Sequence, residues 1–91
     1  MWHTPFFVLF FRKGSQKQVA FVAGKKVGKA VQRNRAKRRM RALFLSTASR
    51  VLPGSYILVA KAALLESDFS KLEEHWRTAL QRSRALDKRR T

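Results

Sequence analysis

The first quarter of the chain carries two apolar segments that predict β-strands. Residues 6–12 and 18–24 are rich in aromatic and β-branched side chains, and Gly14 and Ser15 between them favour a turn. Alternate residues of a strand point to opposite faces of its sheet, and in the first strand both sets are apolar. We therefore expect helices to cover one face, and a further element, a partner chain or a ligand to cover the other. The two sets are Phe6, Val8 and Phe10, and Phe7, Leu9 and Phe11.

Residues 30–49 predict an amphipathic helix. Its apolar side chains fall within an arc of about 100° when they are placed at the helical period. Arg38 lies nearly opposite the centre of this arc, and Leu45 falls on the polar side without an obvious role. The arc predicts the buried face of the helix: Ala36, Met40, Leu43, Phe44 and Thr47.

The C-terminal half predicts one more strand and one more helix. Residues 56–62 are almost continuously apolar, which is typical of a strand buried on both faces. Residues 67–86 have helical periodicity, and Ser67 or Asp68 can cap the helix at its N-terminus. The apolar stripe of this helix is interpreted as core rather than as a ligand site. It consists of Phe69, Leu72, Trp76, Ala79 and Leu80.

The predicted element order is β-β-α-β-α, without repeats or an internal linker. It indicates an α+β two-layer sandwich in which two helices cover one face of the sheet. We expect residues 1–91 to form a single domain, with residues 1–5 and 86–91 frayed at its ends.

The excess and the distribution of positive charge indicate that this small domain binds a polyanion. The chain has 21 Lys and Arg residues, 5 Asp and Glu residues and a net charge of +16. All five carboxylates follow residue 65, so ion pairs within the first 65 residues cannot neutralise its fourteen cations. Nucleic acid is the usual partner of such a surface.

The cations are densest between Lys25 and Arg41, where nine of them occur. Arginine dominates on the helix, which suits bidentate contacts with phosphate and stacking on bases. Asn34 lies within this cluster, either as a helix cap or as an RNA contact. Besides Asn34 and Gln32 the helix has few side chains that could read base edges, which favours the backbone and shape of structured RNA over duplex DNA.

Other chemistries have weaker support. Cysteine is absent, and His3 and His75 have no second histidine at ligand spacing, so we expect no metal site. The spacing around Gly24 and Gly28 does not match a phosphate loop for nucleotide hydrolysis. The longest strongly apolar run, PFFVLFF, is far shorter than the ~20 residues of a membrane helix. The expected location is cytoplasmic, and no membrane partner is expected.

The segment GKKVGKAVQRNRAKRRMRALF closely resembles the signature of the protein subunit of bacterial ribonuclease P. The family pattern Lys-Lys-x-Gly-x-Ala-Val-x-Arg-Asn-Arg-x-Lys-Arg-x-x-Arg corresponds here to residues 25–41, and a looser resemblance extends over residues 6–80. The resemblance implies a left-handed β-α-β crossover, against the usual right-handed rule. It also implies a protein without catalytic residues of its own, in an RNA-based endoribonuclease that matures tRNA 5′ ends.

The resemblance further implies partners and site residues. The protein would bind the catalytic ribonuclease P RNA, which uses Mg²⁺ while the protein itself holds no cofactor, and it would contact the 5′ leader of precursor tRNA. Val8 and Phe10 match strand positions that face the leader cleft. The implied RNA-binding residues are Lys25, Lys26, Lys29, Arg33, Asn34, Arg35, Lys37, Arg38 and Arg41.

This sequence departs from the family pattern in places. The residues MWHT cannot supply the family's N-terminal helix, so we expect that helix to be absent and one sheet face to be uncovered, open to self-association. Arg39 stands where the family often has an aliphatic residue, and Gly24 where it often has Ser. A ribosomal or other structural RNA-binding protein is the main alternative function; a DNA-compacting protein and a membrane-active cationic segment rank lower.

Overall fold

The computed structural model describes residues 1–86 and contains four strands and two α-helices. Two short 3-10 helices, at Lys25–Val27 and Ala62–Glu66, precede the α-helices. The predicted strands and helices are all present, with ends shifted by a few residues. In chain order the elements are β1 (Trp2–His3), β2 (Phe7–Lys13), β3 (Lys17–Val22), α1 (Ala30–Ser46), β4 (Gly54–Ala60) and α2 (Phe69–Arg82).

The sheet has the strand order β1-β2-β4-β3, so β2 and β3 are not neighbours although a short turn joins them. β4 lies between them, antiparallel to β2 and parallel to β3. The turn is held against the start of β4, where the Gly14 amide donates to the Pro53 carbonyl at 3.3 Å. The parallel pair β3 and β4 is connected through α1, which is the β-α-β crossover that the family resemblance implies. Its left hand stays a prediction.

Both helices pack on one face of the sheet, as the sequence predicts. The Phe44 ring of α1 meets the Tyr56 ring of β4 at 5.3 Å and the Trp76 ring of α2 at 6.2 Å. The Trp76 indole N–H donates to the Thr47 hydroxyl at 2.9 Å, so the polar atom of the largest core side chain is satisfied. Burial raises the pKa of Tyr56 to about 12, and its phenol donates to the Leu52 carbonyl.

The N-terminal residues form a short strand and a turn, which the sequence pattern does not predict. The Thr4 hydroxyl donates to the Phe7 carbonyl and accepts hydrogen bonds from the Phe6 and Phe7 amides. This turn reverses the chain, so that β1 pairs antiparallel with β2. At the other end, Leu86 forms a bridge with Val51, and the remaining residues predicted to fray, 87–91, lie outside the described part of the chain.

The second face of the sheet is apolar and partly open. Phe10 and Ile57 are cross-strand partners on this face, and 39% and 40% of their surfaces are exposed. Val22 at the edge is 43% exposed. The predicted cover is therefore present on one face of the sheet, whereas the other face presents apolar side chains to its surroundings.

Candidate nucleic-acid interface

Helix α1 buries four apolar side chains on one side and exposes most of its cations, along with two apolar side chains, on the other. Ala36, Met40 and Leu43 are fully buried, and Phe44 is 7% exposed. Fully burying a side chain of this size contributes roughly 1.5–3 kcal/mol, so these contacts fix the rotation of the helix about its axis. The predicted buried face is confirmed, including Thr47 just after the helix. The side chains thereby directed outward are Arg35, Lys37, Arg38 and Arg41.

Three further cations surround the N-terminal end of α1. Lys25 and Lys26 lie in the preceding 3-10 helix, which is anchored by the buried Val27. Lys29 is the N-cap residue of α1, and its amide donates to the Gln32 side-chain oxygen at 2.6 Å. Gly28 adopts a φ of +139°, a conformation that L side chains rarely adopt. All three lysines are exposed, close to a helix terminus whose free N–H groups also favour anions.

The outward side of α1 carries a broad open depression of about 500 Å³. Its walls are Asn34, Lys37, Arg38 and Arg41, with Val31 at one end. None of the lining residues carries a carboxylate, so the positive potential is not locally offset. This depression joins predicted site residues that are up to seven positions apart in the sequence.

Arg33 occupies a different position from the other arginines. It is half-buried and lines a smaller depression with Ala23, Ala30, Asn34 and Lys37. Its Nε atom is buried without a hydrogen-bond partner among the described residues. The structure therefore places Arg33 at the edge of the cluster, where it is less accessible than the other arginines of the predicted set.

Two arginines of α1 make contacts that the sequence does not predict. The Arg39 guanidinium donates to the Leu65 carbonyl at 3.2 Å and to the Ser67 carbonyl. It therefore links α1 to the segment that leads into α2. The Arg41 guanidinium lies over the Phe21 ring at 5.6 Å, a cation–π contact that orients it beside β3. No pattern within α1 marks either contact, because both partners are remote in the sequence.

The structure decides between the two interpretations of Asn34. The helix begins at Ala30, with Lys29 as its N-cap, so Asn34 lies inside the helix and is exposed. The interpretation as a cap is therefore wrong, since the helix starts one turn earlier than a cap at Asn34 requires.

Replacing Asn34 by Ala should leave the free energy of unfolding unchanged or raise it by a few tenths of a kcal/mol. Alanine is the better helix former, and no cap is lost. Urea denaturation followed by circular dichroism measures the change. A loss of about 1 kcal/mol, the usual effect of removing a cap, would show that the side chain stabilises the helix terminus after all.

Val8 and Phe10 form a second group, apart from the cations of α1. Strand alternation puts both on the open face of the sheet, whereas Leu9 between them faces the helices. Val8 is 9% exposed and Phe10 is 39% exposed, so Phe10 has the more accessible side chain. The two predicted groups therefore lie on different surfaces: one on the outer side of α1, the other on the open face of the sheet.

Comparison with known proteins gives consistent matches. The family model Ribonuclease P matches residues 1–84. The ribonuclease P protein component of a Nitratiruptor species is 46% identical over 80 residues, covering 88% of this chain and 73% of the relative. The corresponding protein of Symbiobacterium thermophilum is 40% identical over 82 residues, covering 89% and 71%.

Solved structures agree with the architecture. The RNase P protein of Thermotoga maritima superimposes with a TM-score of 0.76 at 27% identity, covering 89% of this chain and 80% of that chain. The RNase P protein of Staphylococcus aureus gives a TM-score of 0.79 at 21% identity, covering 92% and 80%, which supports the fold alone.

Proposed function

Because the chain belongs to the ribonuclease P protein family, we propose that it is the non-catalytic subunit that binds the catalytic RNA and the 5′ leader of precursor tRNA. The observation that carries this proposal is the arrangement of residues 25–41. Their apolar members anchor one helix in the core, and their lysines and most of their arginines are exposed around its outer side and its N-terminus. The same residues match the family pattern position by position.

The inferred role of the α1 surface is electrostatic. Two RNA molecules must approach each other closely during processing, and their phosphates repel. The exposed cations of α1 lower that repulsion when they contact the catalytic RNA. Arg35 and Arg38 can grip phosphates in a bidentate way, whereas the lysines near the N-terminus act as point charges. Recognition of this kind follows the shape of the RNA more than its sequence.

The open face of the sheet supports the second part of the proposal. A single-stranded leader offers bases that can stack on an accessible aromatic ring, and Phe10 presents such a ring beside Val8 and Ile57. The catalytic RNA, together with Mg²⁺, would carry out the cleavage. Among residues 1–86, no group of three or more carboxylate or histidine side chains is arranged to hold a metal ion. No helix in the same segment is long and apolar enough to cross a membrane.

Reconstitution tests the proposal directly. The chain is added to a bacterial ribonuclease P RNA at low Mg²⁺, and cleavage of precursor tRNA at its 5′ end is followed. We expect the chain to stimulate cleavage, and ribosomal RNA fragments to compete poorly for its binding. A folded chain that gives no stimulation, or that binds ribosomal RNA equally well, would contradict the proposal.

Replacing Phe10 by Ala should weaken the binding of precursor tRNA to the reconstituted enzyme by about 5- to 150-fold, the usual range for losing one stacked base, with little effect on mature tRNA. The ratio of the two dissociation constants measures the effect. Val19→Ala is a matched control, because Val19 is 38% exposed but lies on the opposite face of the sheet. Equal losses for both tRNAs would argue against a leader site at Phe10.

Self-association is the competing use of the open sheet face. If two copies pair through Phe10 and Ile57, the free chain should dimerise in sedimentation experiments, and Phe10→Ala should abolish the dimer. Leader binding requires this face to be accessible in the complex with RNA. Adding excess catalytic RNA should therefore leave one chain per RNA.

A further inference from the structure

A second depression, of about 340 Å³, lies on the side of α1 that faces the beginning of α2. Ala42 and Phe69 supply its apolar surface, and Arg35, Arg38 and Arg39 surround them. The depression is shallow and open to solvent, and its lining is mostly apolar, which suits the flat face of a base. Arg38 also lines the large outward depression of α1, so the two depressions adjoin along the helix.

The aromatic side of this depression is held in place by its surroundings. Phe69 is the first residue of α2 and is half-buried at the margin of the core. Arg39 donates to the carbonyls of Leu65 and Ser67, just before α2 begins. Two hydrogen bonds from a charged group contribute more than neutral ones and fix the start of α2 against α1. The position of Phe69 beside the arginines is therefore part of the fold.

We propose that this depression holds one unpaired nucleobase of the ribonuclease P RNA, stacked on Phe69, while Arg35 and Arg38 contact the flanking phosphates. This proposal rests on the proposed function, because it names a contact made by the same RNA. An accessible aromatic ring next to arginines is the arrangement that single-stranded nucleic acid favours, and it works with any base.

The positive charge of the depression, and its overlap with the predicted RNA-binding residues, favour RNA over an apolar protein segment as the occupant. The arginines that line the depression contribute mainly their aliphatic parts to its surface, and no lining residue carries a carboxylate, so the surrounding positive charge favours an anionic partner over a neutral peptide. Arg35 and Arg38 already belong to the predicted RNA-binding set. The new elements are Phe69 and Ala42 as the stacking surface, and Arg39 as a positioning residue whose guanidinium donates to protein carbonyls.

Phe69→Leu tests the stacking contact. This change removes the ring but keeps an apolar side chain at the core margin. We expect the affinity for the catalytic RNA to fall by roughly tenfold, within the range known for one stacked base. The dependence of affinity on salt should stay the same, because no cation is lost. Phe69→Tyr should restore the affinity, since it restores a ring.

Phe6→Leu is the matched control. Phe6 is also a half-buried aromatic residue packed at the edge of the core, but its ring contacts His75 rather than the arginines. Its loss should lower the thermal midpoint of unfolding and leave RNA affinity unchanged. If Phe69→Leu binds the RNA as the unaltered chain does, the nucleobase site is refuted. If Phe69→Leu and Phe6→Leu weaken binding equally, in parallel with lost stability, it is refuted as well.

Failure of this inference is distinguishable from failure of the proposed function. The unaltered chain must bind the catalytic RNA and stimulate cleavage for the proposed function to hold, whatever Phe69 does. A chain that binds and stimulates normally, but whose Phe69→Leu variant is unaffected, removes only the stacking site. Specific capture of a protein partner that Phe69→Leu abolishes, with unchanged RNA affinity, would assign the depression to that partner instead.

Discussion

Raising monovalent salt from 50 to 200 mM should lower the affinity of the chain for ribonuclease P RNA by about 10³-fold. A cationic surface that contacts about six phosphates releases roughly that number of counterions, and the affinity then falls as a steep power of the salt concentration. The outer side of α1 and its N-terminal approach supply more than six exposed cations, with no carboxylate among the residues that line the large depression. Filter binding or fluorescence anisotropy across this salt range measures the slope.

Single substitutions test whether the cations of α1 produce this dependence of RNA affinity on salt concentration. Arg38→Ala should reduce it by about one unit and weaken binding at every salt concentration, with little change in stability because Arg38 is exposed. Arg82→Ala is the matched control: it removes the same charge from α2, where the guanidinium lies over the Trp2 ring at 5.9 Å. We expect the control to keep the full slope. A flat response of the unaltered chain would exclude electrostatics as the main source of affinity.

The α1 surface could be predicted well because it depends on local periodicity. The rotation of an amphipathic helix is fixed by which side chains are apolar, and Ala36, Met40, Leu43 and Phe44 define that direction without reference to any other element. The position of the cations follows from it directly. Helical periodicity could not decide whether Asn34 is a helix cap or an RNA contact, because that choice depended on the residue at which the helix begins.

Strand pairing could not be predicted from the strands themselves. The turn at Gly14 suits any two consecutive strands, yet β4 pairs with both of them and separates them. That arrangement depends on α1 returning the chain to the middle of the sheet, which is a tertiary effect. The N-terminal strand also depends on contacts with remote residues, since β1 pairs with β2 and Lys61 donates to the Thr4 carbonyl at 2.7 Å.

Contacts between side chains and remote segments were the part of the site that the sequence predicted least well. Arg39 lies on the flank of α1, nearer the apolar arc than Arg38, but the pattern within the helix does not show which segment its guanidinium contacts. Its carbonyl partners lie 26 and 28 residues away. The sequence pattern likewise predicts Phe69 only as a member of the apolar stripe of α2. The packing of α2 against α1 places it beside the arginines.

Replacing Gly54 by Ala should lower the free energy of unfolding by about 2–5 kcal/mol, from backbone strain and overpacking together. Gly54 begins β4 with a φ of +154° and pairs with Lys13 on one side and Lys17 on the other. A Cβ atom there would lie 2.4 Å from the Arg12 carbonyl oxygen and 3.1 Å from the Lys13 Cα atom. Both contacts are with backbone, so side-chain rotation cannot relieve them.

Gly24→Ala provides the control for this change. No heavy atom lies within 4 Å of a Cβ at Gly24, and its φ of −85° suits any residue, so we expect a change below about 0.5 kcal/mol. Urea denaturation of both variants gives the comparison, and equal effects would contradict the strain at Gly54. A domain of this size has roughly 5–14 kcal/mol of stability, so at the lower end of this range Gly54→Ala leaves little margin. Because RNA that binds only the folded chain adds about 2.7 kcal/mol at 100 times its dissociation constant, catalytic RNA should restore much of the loss, and duplex DNA should restore less.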